Sequence, residues 1–233
     1  IPELVSKDYA LSRFAGFDVE AASDSDAIGP GLTDLPRESR ETTHFSVADG
    51  DGNLVSLTTT LNSGYGNKIV VPGTGILLNN EMNDFSIKPN TPNQYELIGR
   101  EANAIGPGKR MLSSMSPTIV TKDGAPVLAT GSPGGSTIIM TTLQVLINVI
   151  DHGMPIEDAV AQPRIHHQWR PERVTHERYA LSKETRDVLE AMGHELRASR
   201  WGRGIGDANS IEIRDGILRG TKDPRAVGAA IGY

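Results

Sequence analysis

The sequence has no cysteine among its 233 residues, so disulfides, thiolate zinc sites and a cysteine nucleophile are excluded. It also has no uninterrupted apolar run of about 18 residues, the length that a membrane-spanning helix needs. The longest apolar-rich stretch, 136–150, is broken by polar residues and predicts a buried helix. A basic surplus is missing too, because 23 Lys and Arg stand against 29 Asp and Glu, giving a net charge of −6. This balance argues against a nucleic-acid-binding protein, which needs a basic face.

The first 41 residues differ in character from the rest. A short helix is predicted over 7–15, followed by a polar stretch with Gly, Pro and Asp that is typical of a linker. The opening IPELVSKDYA has neither the basic region nor the apolar core of a secretion signal. We interpret this part as the interior of a longer polypeptide.

From Thr42 onward the pattern changes to strands and helices. Three Asp-Gly turns between apolar runs predict three β-hairpins and roughly six strands, in THFSVADGDGNLVSLTTTLN, PTIVTKDGAPVLATG and NSIEIRDGILRG. Helices are predicted over 137–150 with Ser136 as cap, over PIEDAVAQ from Pro155, and over KETRDVLEAM between Ser182 and Gly193. Hairpins with helices on their faces predict an α+β fold. The Gly-, Pro- and Asn-rich residues 63–112 are typical of functional loops.

The first hairpin carries many hydroxyl groups. Alternation places Thr42, His44 and Ser46 on one face of the first strand, and Thr58, Thr60 and Asn62 on one face of the second. By itself such a pattern also fits a half-exposed sheet surface, since threonine is common in strands.

Three further stretches have the residue types of a site. TGSPGGS, 130–136, places Gly134 and Gly135 where a strand ends and a helix begins, which suits an oxyanion hole or a small-anion site but also a plain tight turn. Glu81 and Asp84 can bind an ammonium group or do acid–base work, or be solvated loop charges. Ser113 and Ser114 can bind a carboxylate, or form a turn before the next strand.

Two motifs are set aside. IHHQW, 165–169, lacks a third ligand at metal-binding spacing, and adjacent histidines in an extended chain point in opposite directions, so a structural role is predicted. GRGIG, 202–206, lies in no βαβ unit and only superficially resembles a nucleotide-binding loop.

Taken in order, these segments resemble the γ-glutamyltranspeptidases, a family of the N-terminal-nucleophile hydrolase superfamily. The resemblance covers nearly everything from Thr42 to the C-terminus, in TTHFSVADGDGN, TLNSGYG, GILLNNEMNDFS, LSSMSPTIV, TGSPGGS, PRIHHQW and DPRAVGAAIGY. It implies a four-layer αββα sandwich. It also implies a precursor that cuts itself before a threonine to give a large and a small subunit, which together form a heterodimer.

The resemblance places that threonine at Thr42. Residues 1–41 are then the C-terminal tail of the large subunit, and residues 42–233 are the small-subunit catalytic domain. It implies that Thr42 attacks the γ-carbonyl of a γ-glutamyl compound such as glutathione, while Thr60 orients the nucleophile. The N–H groups of Gly134 and Gly135 hold the oxyanion. The γ-glutamyl-enzyme ester passes to water or to an amino-acid or peptide acceptor, with no cofactor and no metal.

Further roles follow from the resemblance for substrate binding. Asn62, Glu81 and Asp84 are expected to hold the α-ammonium, and Ser113 and Ser114 the α-carboxylate. Residues 88–103 resemble a lid loop, with Tyr95 at the covering position. An arginine of the large subunit that also pairs with the carboxylate has no counterpart in this chain. A periplasmic or secreted location is expected only from the habit of the family.

Two alternative functions are kept. One is an acylase of the same family acting on glutaryl or cephalosporin-type amides, whose substrates lack the α-ammonium that Asn62, Glu81 and Asp84 are expected to bind. The other is a non-enzymatic member, or a fragment that is never processed. The presence of Thr42 and all its expected partners argues against this second alternative.

Overall fold

The computed structural model describes residues 2, 4–28, 41–93, 97–199 and 204–232. All three predicted hairpins are present: β1 Glu41–Ala48 with β2 Leu54–Asn62, β3 Thr118–Lys122 with β4 Ala125–Thr130, and β8 Ser210–Arg214 with β9 Ile217–Thr221. In the last two, the Asp and the Gly of the turn both have positive φ. That is the geometry that makes Asp-Gly a good hairpin turn.

The strands form a layered arrangement. Strands β3, β4, β8 and β9 make one antiparallel sheet in the order β3-β4-β8-β9. The β1–β2 hairpin contacts β3, β4 and β8 of this sheet, and hydroxyl groups tie the two together. The Ser56 Oγ, for instance, donates to the Thr130 carbonyl at 2.8 Å. A smaller sheet contains β5 Ile165–His166, β6 Val174–His176 and β7 Leu196–Ala198.

Four α-helices lie in the described part of the chain: α1 Lys7–Phe14, α2 Ile138–Ile150, α3 Ile156–Ala161 and α4 Lys183–Ala191. Helices α2 and α3 pack together, and their apolar residues form the core with strand β4 and the segment before β8. Its fully buried members are Leu128, Val145, Ile156, Val160 and Ala208. Hairpin, sheet and helices therefore stack as a β-β-α series, in agreement with the predicted α+β class.

The helix ends agree with the predictions at α4 and differ at α2. Ser182 caps α4 by accepting from the Thr185 N–H at 3.0 Å, and Gly193 follows its end with φ 100°. The predicted cap by Ser136 is wrong. A 3₁₀ turn over Gly135–Thr137 precedes α2, and the Ser136 hydroxyl instead donates to Gln168 Oε1 at 2.7 Å. The difference arises because this tertiary hydrogen bond, to a residue 32 positions along the chain, engages the hydroxyl that would otherwise cap the helix.

The hairpin has two unlike faces. The inner face carries His44, which is buried, and faces the four-stranded sheet. The outer face carries large apolar side chains that are 38–50% exposed: Phe45, Val47, Val55 and Leu57. Four exposed apolar residues on two paired strands form an apolar patch of the kind that a further layer of structure covers.

Candidate functional site

Thr42 and Thr60 lie opposite each other on the paired strands of the first hairpin. Both are partly buried and belong to the face that also carries His44 and Thr58, as alternation predicted. The pairing is regular from Thr42 to the turn, but the register shifts between Glu41 and Thr42. The main-chain irregularity therefore lies at the peptide bond that is predicted to be cut.

Asn62 ends β2 in a left-handed conformation, with φ 72°, and is fully buried. Its main-chain N–H donates to Thr60 Oγ1 at 2.8 Å, and its side-chain Nδ2 donates to the Asn80 carbonyl at 2.9 Å. Asparagine is one of the few residues other than glycine that adopts this conformation readily. Asn62 therefore connects the Thr60 hydroxyl to the segment that carries the predicted acidic residues.

Glu81 and Asp84 occupy the two ends of a one-turn 3₁₀ helix, Glu81–Asp84. The preceding Asn80 fixes this turn to the end of β2, because its N–H donates to the Leu61 carbonyl at 3.1 Å. Asp84 is 4% exposed. Glu81 Oε1 is enclosed and has no hydrogen-bond partner among the described residues. A buried Asp84 and an enclosed carboxylate oxygen on the half-buried Glu81 favour a cationic ligand here, since a buried negative charge is stabilised by a nearby cation.

Ser113 and Ser114 differ in their surroundings. Ser114 is buried and its Oγ donates to the Gly135 carbonyl at 2.9 Å. Ser113 is exposed, and its Oγ accepts from the Met115 N–H at 3.3 Å. The serine pair is therefore joined directly to the two-glycine turn, a link that the sequence did not reveal.

Gly134 and Gly135 form the turn between β4 and α2, with φ 138° and 59°. A Cβ at position 134 would meet the Thr137 hydroxyl and would lie 3.3 Å from Gly206 Cα. Glycine is thus required at Gly134 both by its backbone conformation and by the neighbouring chain. The structure confirms the predicted strand–turn–helix setting, which suits an anion site.

His44 is a residue whose importance the sequence did not show. Its Nδ1 lies 2.8 Å from Thr58 Oγ1 and its Nε2 lies 3.2 Å from Ser46 Oγ. The Ser46 hydroxyl donates its only proton to the Asn209 carbonyl, so it accepts from Nε2–H, and Thr58 donates to Nδ1. Burial lowers the pKa of His44 to about 4, with a smaller opposing effect of a main-chain hydrogen bond with Asn209. The imidazole is therefore neutral at physiological pH.

A cleft of about 360 Å³ runs beside strand β1. It is lined by Thr42, Pro133 and Asp207, among others, and on its far side by the C-terminal residues 227–231. Burial, followed by the nearby Asp223 charge, raises the pKa of Asp207 above its ordinary value. The Asp207 main-chain N–H donates to Ser132 Oγ at 2.8 Å, which joins this loop to the one that carries the glycines.

A buried ion-pair network holds the loop that contains Asp207. Arg164, which is 1% exposed, pairs with Asp223 at 2.7 Å, and Arg225 pairs with Glu177 at 2.6 Å. Carboxylate oxygens of this network also accept main-chain N–H groups of the loop, from Ile205 at 2.6 Å and Ala208 at 2.7 Å. Such pairs are stable only when their hydrogen bonds are satisfied, as these are. The two arginines lie in the sequence motifs PRIHHQW and DPRAVGAAIGY, but the motifs did not predict which residues they pair with.

Three further features concern Tyr95, the adjacent histidines of the IHHQW motif, and membrane-spanning helices. Tyr95 lies outside the described residues. His166 is buried and His167 is exposed, and no cluster of His, Cys, Asp or Glu suited to a metal ion occurs in the described part of the chain. None of the described helices is both long and apolar enough to cross a membrane.

Known proteins with similar sequences and structures belong to the family that the sequence motifs resemble. A family model described as gamma-glutamyltranspeptidase matches residues 1–233. The glutathione hydrolase proenzyme of Escherichia coli (strain K12) is 49% identical over 96% of this chain and 38% of its own length. The gamma-glutamyltranspeptidase structure from Pseudomonas nitroreducens complexed with L-DON is 48% identical, with a TM-score of 0.76 over 82% of this chain and 99% of that chain.

A more distant relative is the Acylase ACY 1 proenzyme of Pseudomonas sp. (strain SE83), 36% identical over 99% of this chain and 38% of its own length. The chain spans 38–42% of the length of the glutathione hydrolase proenzymes it matches. The structural likeness confirms the predicted sandwich fold. The chain therefore belongs to the γ-glutamyltranspeptidase family.

Proposed function

We propose that residues 42–233 are the small subunit of a γ-glutamyl transferase and hydrolase, and that residues 1–41 are the tail of its large subunit. In the uncut chain the Thr42 nitrogen is an amide and cannot take a proton. Cleavage of the Glu41–Thr42 bond converts it into an α-amine with a reference pKa near ~8, which is suited to a general base. The register shift at this bond supports cleavage at this position.

In the proposed reaction, Thr42 Oγ attacks the γ-carbonyl carbon of a γ-glutamyl amide, and the Thr42 α-amine takes the hydroxyl proton. The N–H groups of Gly134 and Gly135 stabilise the oxyanion, and Thr60 orients the nucleophile. Collapse of the tetrahedral intermediate breaks the C–N bond, and the leaving amine receives the proton. Water or the amine of an amino acid or peptide then attacks the ester, which releases glutamate or a new γ-glutamyl compound.

The single observation that carries this proposal is a chain of contacts joining the predicted residues. It runs from Thr42 to Thr60 by strand pairing, then through Asn62 and Asn80 to the Glu81–Asp84 turn. It returns through Asn103 to the segment before the serines, and from Ser114 to the Gly135 carbonyl. These contacts support one site that combines the proposed nucleophile and anion-binding turn with acidic and hydroxyl groups.

The γ-glutamyl head group of the proposed substrate carries one positive and one negative charge, and the site offers groups that suit each of them. We assign the α-ammonium to Asn62, Glu81 and Asp84, and the α-carboxylate to Ser113 and Ser114. The enclosed Glu81 Oε1 supports a cationic ligand on that side. On the other side, the Ser114 hydroxyl must turn its proton away from the Gly135 carbonyl in order to donate to a carboxylate. The assignment pairs both charges of the ligand, as burial requires.

The large subunit is the proposed partner. The relatives named proenzymes are more than twice as long as this chain, since it spans 38–42% of them. The hairpin also exposes an apolar outer face, with Phe45 and Val47 43% and 50% exposed. We place a layer of the large subunit on this face, where it completes the second helical layer of the αββα sandwich.

Thr42→Ala in the full-length precursor tests the proposal. The variant should stay uncut in gel electrophoresis and mass spectrometry, and it should not release anilide from γ-glutamyl anilide. Thr43→Ala is the matched control, because Thr43 is adjacent but lies on the exposed opposite face of the strand. Thr43→Ala should be cut and active. Normal maturation of Thr42→Ala would show that another residue, with Thr43 first in line, is the nucleophile.

An acylase function is the alternative that the more distant relatives favour. Glutaryl and γ-glutamyl anilides differ only in the α-ammonium, so they test the role of the acidic side of the site directly. The buried Asp84 predicts that the full-length protein prefers the γ-glutamyl anilide. Equal or better turnover of the glutaryl anilide would favour the acylase.

A further inference from the structure

Asn103 lies between the two halves of the proposed head-group site, and its side chain hydrogen-bonds to both. It is 5% exposed. Its Nδ2 donates to the Asp84 carbonyl at 2.6 Å, and its Oδ1 accepts from the Leu112 N–H at 3.1 Å. Leu112 directly precedes Ser113. One side chain therefore joins the acidic turn to the strand entry that carries the serines.

The main chain of Asn103 also closes the base of the segment that resembles a lid. Its carbonyl accepts from the Ser86 N–H at 3.0 Å, and Ser86 forms a parallel bridge with Ala104. Within the segment, the Asn90 N–H donates to the Gly99 carbonyl at 2.7 Å. The two ends of the segment therefore lie next to each other, and Asn103 belongs to the place where they meet.

The amide side chain is suited to this place because it has one donor and one acceptor group at its end. Both of its partners are main-chain groups, a carbonyl and an N–H, so an aspartate keeps the bond to Leu112 but loses the one to Asp84. An alanine loses both. In either case a main-chain group in a partly or fully buried position loses its partner, which costs more than the average hydrogen bond.

We propose that Asn103 is a positioning residue that sets the spacing between Asp84 and the pair Ser113 and Ser114, and so selects ligands with an ammonium and a carboxylate on the same carbon. Asn103 acts through these residues and does not itself contact the ligand. The inference rests on the proposed function, because it assumes that Asp84 and the serines hold the α-amino-acid head. Asn103 and Asp84 are both among the residues that line a cavity of about 230 Å³.

The test uses the mature full-length enzyme with Asn103→Asp and Asn103→Ala, assayed with γ-glutamyl anilide. Since head-group contacts exist in both the ground state and the transition state, their misplacement should raise KM more than it lowers kcat. We expect KM to rise roughly 10- to 100-fold, as loss of one or two such hydrogen bonds implies, with kcat changed less than about threefold. Cleavage before Thr42 should remain complete, because it needs no head group.

The matched control is Asn148→Ala, which removes a 3.2 Å hydrogen bond from the Asn148 side chain in α2 to the Ala159 carbonyl in α3. This variant should keep the KM of the parent enzyme. An unchanged KM in both Asn103 variants would overturn the inference. So would a joint loss of cleavage, kcat and thermal stability, since that result would mean a general structural role. If the parent enzyme itself does not turn over γ-glutamyl anilide, the proposed function fails, and the inference fails with it.

Discussion

Acidification should reveal His44, on strand β1, as a buried neutral histidine. Its ring packs against Gly131, where a Cβ would lie 2.7 Å from Nδ1, and both ring nitrogens are engaged by hydroxyl groups. Protonation adds a donor at Nδ1, where Thr58 now donates, and puts a charge where water is excluded. Burial accordingly lowers the pKa of His44 to about 4 from an ordinary value of 6.5.

The sign and the size of the effect on stability follow from that difference. Because the pKa is lower in the folded state, the unfolded state binds more protons between the two values. The contribution of His44 to stability is therefore complete above about pH 6.5 and decreases as the pH falls towards 4. The resulting loss of folding stability reaches about 3 kcal/mol at pH 4, since each pKa unit corresponds to 1.36 kcal/mol.

Two measurements on the mature full-length protein check this prediction. NMR of protein with ¹⁵N-labelled histidine gives the titration of each imidazole, and His44→Gln identifies the signal of His44. Urea unfolding at pH 7 and pH 4.5 should show a smaller loss of stability on acidification in His44→Gln than in the parent protein, because the other titrating groups cancel in the comparison. A His44 signal that titrates near pH 6.5 would refute the reasoning about its burial.

Two other substitutions test the site from different sides. Asp84→Asn should raise KM for γ-glutamyl anilide by roughly 10²-fold or more, because it leaves a buried cationic ligand without its charge partner. Cleavage before Thr42 should not be prevented. Steady-state kinetics measures KM and mass spectrometry measures cleavage, and an unchanged KM would show that Asp84 does not hold the ammonium. Gly134→Ala should lower kcat by roughly 10²-fold, since it forces a strained φ of 138° on an alanine and displaces an oxyanion donor. Wild-type kcat in that variant would exclude this turn as the oxyanion hole.

The local structure was largely predictable because it depends on short-range signals. In the β3–β4 and β8–β9 hairpins the Asp-Gly pair fixes the turn through its own φ values. In the first hairpin, alternation decides which residues share a face with Thr42. The cap at Ser182 depends on the residues next to it. Ser136 had the same local signal, yet it donates to Gln168, which is 32 positions away, so tertiary contact overrode the local preference.

The connections within the site were not predictable from the residues alone. Asn103 reaches Asp84 across 19 positions, and the arginines of the ion-pair network reach their partners across 48 and 59. The burial of His44 likewise depends on Gly131, which directly follows strand β4. These contacts depend on how the sheets and loops are stacked, which no pattern of period 2 or 3.6 records. The resemblance to a family indicated which residues matter, but not how they are joined.

The N-terminal residue of the small subunit of the mature, active protein tests the central claim most directly. Edman sequencing, combined with the intact mass of the subunit, should give Thr42 as its first residue with a free α-amine. A fully active two-subunit preparation in which the Thr42 nitrogen is still bonded to Glu41 would contradict the account.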